Sequence, residues 1–109
     1  MEKWSFSSGN VVVSDDDAAA VKTLSAVAGQ RHVLTGVLVG YDGEPDGGLL
    51  TITDGGVTVL SVPILVGGPA PIQFPSLLMG GINSTVVITL AAGGSGVKGY
   101  LNLFGHRLV

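Results

Sequence analysis

The segment Gly94-Ser95-Gly96-Val97-Lys98-Gly99 spells G-x-G-x-x-G. That spacing cradles a dinucleotide pyrophosphate when a strand precedes it and a helix follows. Here β-patterned residues stand on both sides, so a flexible loop is expected instead. Lys98 does not convert it to a phosphate loop, which needs Gly-Lys-Ser or Gly-Lys-Thr. Asp15, Asp16 and Asp17 are consecutive. Calcium loops place their oxygens at alternate positions with a glycine for the sharp turn, so this triplet reads as a solvated turn. His32 and His106 are the only histidines, one ligand short of a catalytic zinc set, and neither has an acid nearby in sequence. They are expected to be ordinary surface or interface residues. The nucleophile elbow Gly-x-Ser-x-Gly is missing. The acids fall in turns, loops or the terminal segment, where a carboxylate pair would not be held on ordered elements. Asn83-Ser84-Thr85 matches a glycosylation acceptor, but the N-terminus Met1-Glu2-Lys3-Trp4-Ser5 shows no apolar signal core and predicts cytosolic synthesis. The expectation is a protein without catalysis, cofactor or metal.

Composition narrows the classes further. The chain has 109 residues, enough for one domain with a modest core. Charged residues make up 12%, about half the usual share. So neutral a surface suggests that part of it is covered by partners. The net charge is −3, and the five Lys or Arg are scattered, which leaves no basic stripe for nucleic acid. No run reaches the roughly 18 apolar residues that span a bilayer. There is no cysteine, so neither disulfides nor thiolate sites contribute.

The elements that must carry these residues are strands. Eighteen glycines and five prolines break up short runs of Val, Ile, Leu and Thr, as in a sandwich or barrel. Residues 4–13 predict two short strands or an arm, closed by the Asp15–Asp17 turn. Residues 18–28 could be a helix behind three Asp, but the surrounding β-pattern favours strand. Residues 31–41 alternate as a long central strand. Asp54-Gly55-Gly56 between two β-runs predicts a hairpin. The segment 63–75 holds four prolines and is expected to be an irregular crossing with a short extended piece at 72–74. Residues 83–91 and 97–104 are expected to form a final strand pair. The predicted fold class is all-β: an antiparallel two-sheet sandwich, jelly-roll-like, of about eight strands. An up-and-down barrel is the second choice. Residues 1–17 would be an N-terminal arm or edge strands, and 18–109 the sandwich domain.

Several segments then carry a resemblance: Val27-Ala28-Gly29-Gln30-Arg31-His32, Gly48 to Gly55, Ile72-Gln73-Phe74-Pro75, Asn83 to Val97 and Gly99-Tyr100-Leu101-Asn102. Over roughly residues 18–106 the chain resembles the small β-sandwich decoration, or cement, proteins of tailed-bacteriophage heads. That resemblance implies a virion structural protein, made in the host cytoplasm. It would bind the major capsid protein on the outer capsid surface, bridge capsid subunits, and self-associate as a homodimer or homotrimer. It would bind no nucleic acid and no membrane. Under this expectation the interface residues are Trp4, Phe6, Val11, Val12 and Val13 in the arm. Pro63, Pro69, Pro71, Phe74 and Pro75 would supply a second contact surface. The alternative is a small carbohydrate-binding jelly-roll module of a phage tail or fibre. It needs an exposed aromatic with polar partners at a loop rim, and Tyr41 with Asp42 and Glu44 is its candidate.

Overall fold

A computed structural model describes residues 2–3, 11–46, 48–65 and 67–108; at 2–3, 70 and 73–77 it is the backbone that is described. Nine antiparallel strands follow in chain order: β1 (Glu2–Lys3), β2 (Val11–Val13), β3 (Ala20–Leu24), β4 (Arg31–Tyr41), β5 (Gly48–Asp54), β6 (Val57–Ile64), β7 (Ala70–Met79), β8 (Val86–Leu90) and β9 (Gly99–Leu108). No helix occurs among the described residues. A five-stranded sheet runs β1-β9-β4-β7, with β2 also on β9, and faces a four-stranded sheet ordered β3-β8-β5-β6. This is the antiparallel jelly-roll-like sandwich that the strand spacing predicts.

Side-chain alternation explains how the sheets face each other. Ala20, Leu90, Leu50 and Val62 form one cross-strand row, and Lys22, Ile88, Ile52 and Leu60 the next. Opposite them, Leu34, Val37, Val39, Tyr41, Leu101 and Leu103 close the core. Alternation along β4 breaks once. Against β9 the register shifts between Leu34 and Gly36, so Thr35 is an extra, exposed residue. Such a bulge lets Leu34 and Val37, three positions apart, both point inward.

Two sequence expectations hold in detail. Residues 20–24 are a strand rather than a helix. The Asp54-Gly55-Gly56 hairpin joins β5 to β6 with positive φ at both glycines, as a tight two-residue turn demands.

Four expectations are corrected. Residues 83–91 and 97–104 do not pair: β8 lies between β3 and β5, while β9 lies in the other sheet. With both edges of β8 occupied, the connection 91–98 must cross between the layers. The proline-rich segment is mostly strand, since Pro63 belongs to β6 and residues 70–79 form β7. Both are edge strands, where a missing N–H costs no internal ladder bond. His32 is no surface residue. It is 5% exposed, and its Nε2 lies 2.8 Å from the Ser25 carbonyl oxygen.

Tyr41 is likewise corrected as a rim aromatic. It is 4% exposed, and its hydroxyl donates to the Ala91 carbonyl at 2.7 Å. The ring fills a slot between two glycines: a Cβ at Gly48 would collide with the hydroxyl, and one at Gly93 would lie 2.7 Å from Cδ1. Tyr41→Phe is expected to lower the unfolding free energy by about 1–2 kcal/mol, through the lost hydrogen bond. Gly48→Ala should cost more, because ring or strand must move; urea unfolding measures both. Burial also raises the phenol pKa from its ordinary 10.0. The folded state thus holds this proton more tightly than the unfolded chain, so its contribution is complete below pH 10 and is lost as pH rises through the folded-state value. Stability should therefore fall, as pH rises through and above 10, more steeply in the native protein than in Tyr41→Phe.

Candidate functional site

The outer face of the five-stranded sheet presents a column of side chains that sequence reading did not single out. On β9, residues 100, 102 and 104 point away from the core while Leu101 and Leu103 point into it. Tyr100 is 38% and Phe104 49% exposed, and Asn102 lies half-buried between them. Four residues apart on one strand, the two aromatics stand about 13 Å from each other. Register sets them against the backbone of β4: Tyr100 faces Gly40, Asn102 faces Leu38 and Phe104 faces Gly36. An aromatic opposite a glycine covers exposed backbone that would otherwise lack a side chain. On the flanks, Val13 stands beside Tyr100 and Val11 beside Asn102, while Pro71 lies across Leu38 on β7.

Because two of the three β4 residues here are glycines, the strand surface is low. A depression of about 230 Å³ is lined by Leu38, Gly40, Gly68, Pro69, Tyr100 and Asn102, among others. The Asn102 amide donates to the Leu38 carbonyl at 3.3 Å, which fixes its orientation and leaves its oxygen as an acceptor. None of these side chains is charged, so the depression suits an uncharged ligand whose apolar faces meet aromatic rings and whose hydroxyls meet a few polar groups.

The residues expected to form an interface fall in different places. Val11, Val12 and Val13 form β2 on this chain's own β9, with Val12 turned toward the core and Val11 and Val13 outward. Pro69 and Pro71 border the depression just described. Pro63 lies on the opposite sheet, paired with Leu49. Phe74 and Pro75 belong to the backbone of β7, but their side chains lie outside the described residues, as do Trp4 and Phe6 altogether. Asp42 donates structure rather than a rim: its carboxylate accepts the Lys98 N–H at 2.7 Å.

A second cavity, about 120 Å³, opens at the other end of the sandwich between Leu34, Ile52, Val59, Leu78, Met79 and Val86, with His32 and Asp54 at its polar side. Asp54 is engaged within the fold. Its carboxylate accepts the Ser84 hydroxyl at 2.5 Å and the Gly81 N–H at 3.1 Å. The neighbouring Asn83 and Thr85 accept the Gly29 and Ala26 N–H groups at 2.6 and 3.2 Å. The glycosylation-like triplet is thus a clasp that ties the loop 25–30 and the end of β5. Asp17, in the acidic turn, has positive φ and donates its N–H to the Val97 carbonyl. Among the described residues no three His, Asp or Glu side chains gather to hold a metal ion.

No protein-family model matches the chain, and neither does any curated protein sequence. Solved structures do. The EclA C-terminal domain, a sugar-binding protein, is similar at a TM-score of 0.50 and 11% identity, over 92% of this chain and 81% of that one. TmCBM61, solved in complex with β-1,4-galactotriose, is similar at 0.48 and 16% identity, over 93% and 75%. The CBM36-1 domain of a multidomain xylanase from the hindgut metagenome of Trinervitermes trinervoides is similar at 0.44 and 15% identity, over 85% and 71%. At these identities the likeness is one of fold. The resemblance to phage decoration proteins extends into the structure as far as the small β-sandwich.

The clasp and the column differ in what their removal should do. Asp54→Ala is expected to cost about 2–3 kcal/mol, because the Gly81 N–H and the Ser84 hydroxyl lose a charged acceptor. Tyr100→Ala and Phe104→Ala should each stay within about 1 kcal/mol of the native protein, as half-exposed cross-strand neighbours do. Chemical denaturation of the three variants checks both statements.

Proposed function

We propose that the chain is a non-catalytic carbohydrate-binding module whose ligand lies along the outer face of the five-stranded sheet. The observation that carries this reading is the column Tyr100, Asn102 and Phe104: two exposed aromatics flanking a carboxamide, over an uncharged strip of glycine backbone. Pyranose rings have one apolar C–H face that packs on an aromatic ring and a rim of hydroxyls that need donors and acceptors. A rigid sheet face supplies both at fixed spacing. Sharing a fold with the sugar-binding EclA domain is compatible with this role, but a fold hosts many functions and the side chains carry the assignment. Tyr41 borders the depression, but its ring is locked in the core, so it is not the exposed rim aromatic that a site at Tyr41, Asp42 and Glu44 needs.

A second reading draws support from the rim of the same face. Val11 and Val13 are 49% and 52% exposed, and contiguous apolar surface of this kind also suits a protein partner. Under that reading the face meets a capsid subunit or another copy of the chain, as in a decoration protein.

One pair of measurements separates the two. The carbohydrate reading expects a monomer by size exclusion with light scattering, retained in affinity electrophoresis by at least one soluble polysaccharide. Tyr100→Ala and Phe104→Ala should each weaken retention about tenfold or more, the scale of a lost aromatic anchor. Val57→Ala, on the distant β5–β6 hairpin, should leave it unchanged. A stable dimer or trimer with no retention on a panel of plant, bacterial and algal polysaccharides would favour the assembly reading.

A further inference from the structure

The column on β9 does not end at Phe104. Two residues further, His106 takes the same outer face by strand alternation. It stands opposite Val33, whose side chain lies apart from the core between the sheets. Met79 meets Val33 from the other side and is 48% exposed. Its sulfur accepts the Arg31 guanidinium at 3.5 Å, which holds Arg31 on that face as well. Lys3 is the register partner of His106 on β1, and Arg107 lies opposite His32 at the same end. The far end of the sheet has the reverse charge. Backbone bonds from Asp17 to Val97, Asp42 to Lys98 and Asp46 to Gly93 gather the loops 15–17, 42–46 and 93–98 beside the start of β9. Those loops carry Asp15, Asp16, Asp17, Asp42, Glu44 and Asp46 against one cation, Lys98. Of the remaining acids, Asp54 is turned into its clasp with Gly81 and Ser84, and Glu2 is the register partner of Arg107. The column therefore runs from an acidic end near Tyr100 to a cationic end at His106, about 20 Å away along the strand.

Resting on the carbohydrate reading above, we infer that the glycan bound on this face is acidic, with its anionic substituent beyond Phe104 at Arg31 and His106. The substituent is a uronate carboxylate or a sulfate ester, both of which offer oxygens that accept only. The depression between Tyr100 and Asn102 holds no charged side chain, so neutral sugars lie there and on the Phe104 ring. Past Phe104 the groups change from apolar to donating: the guanidinium presents a planar fork of N–H groups to an oxyanion, and the imidazole adds an N–H. The reverse orientation would set the anion among six carboxylates, where like charge repels it. The charge gradient along the strand therefore fixes the direction of the bound chain as well as its class.

The test compares polymers that differ in charge alone, using affinity electrophoresis of the full chain. The pairs are polygalacturonate and its methyl ester, glucuronoxylan and its carboxyl-reduced form, and carrageenan and its desulfated form. In at least one pair the charged member should bind about fivefold more tightly, the scale of one partly exposed ion pair. Whether a uronate pair or the carrageenan pair shows it identifies the substituent. The preference should shrink towards equal affinity in Arg31→Gln and in His106→Gln. It should also shrink as sodium chloride rises from about 0.05 to 0.5 M, because salt screens exposed charges. Lys98→Gln should leave it unchanged. Each variant is judged by its own charged-to-neutral ratio, so a smaller folded fraction cancels. Equal affinity within every pair that binds overturns the acidic ligand while leaving the carbohydrate reading intact. So does a preference that Lys98→Gln removes and the other two variants keep. No binding to any member of any pair overturns both.

Discussion

The pairing of β4 with β9 is the constraint on which the rest of the structure depends. Ten residue pairs join them, from Arg31 opposite Leu108 to Tyr41 opposite Gly99. A one-residue slip would turn Leu101 and Leu103 to solvent and Tyr100, Asn102 and Phe104 into the core. The cost of that exchange keeps the register single. The extra residue at Thr35 serves the same end: without it, either Leu34 or Val37 would leave the core. The candidate face is thus the reverse side of a packing requirement. Glycines at 36 and 40 are tolerated in a central strand because an aromatic stands opposite each.

The edges of the two sheets bear on how the molecule meets others. Edge strand β6 contains Pro63, and edge strand β7 contains Pro71 and Pro75. Edge strand β3 has Lys22 on its inward row, opposite Ile88. Prolines and inward-pointing charges are the devices by which edges resist another strand. The first strands, β1 and β2, are spent on this chain's own β9. Adding a strand across these edges is therefore disfavoured, and the low-charge outer faces are what remain for contact with a partner. Of these, the five-stranded sheet offers shape and aromatic chemistry. The four-stranded sheet offers rows of Thr, Ser and Val, such as Val21, Thr89, Thr51 and Ser61.

Tyr41 shows how one side chain joins stability to the site. As the last residue of β4, it fills the gap between Gly48 and Gly93 and bonds to Ala91, linking the start of β5 to the crossing 91–98. Its carbonyl also receives the Gly68 N–H. The segment 68–69 that flanks the depression therefore hangs from a core residue.

The sequence by itself determined the class of structure. Alternating β-branched runs, Asp-Gly turns and a lack of long helical periodicity specify an antiparallel sandwich, and the boundaries of β4 and the β5–β6 hairpin follow from local pattern alone. These are short-range properties, legible because strand alternation and turn chemistry act within a few residues. Only the tertiary structure decided which sheet each strand joins. The pairing of β9 with β4 rather than β8 depends on contacts 58 to 77 positions apart, which no local signal encodes. It also decided which aromatics face water. Tyr41 and Tyr100 both sit in alternating β-patterns beside glycines, and the sequence around them gives no means to rank their exposure. The bulge at Thr35 shifts the inward phase of β4 by one residue and carries Tyr41 into the core. The pairing of Tyr100 with Gly40 then leaves that ring on the outer face. Burial is a property of the packed whole, and so is the site.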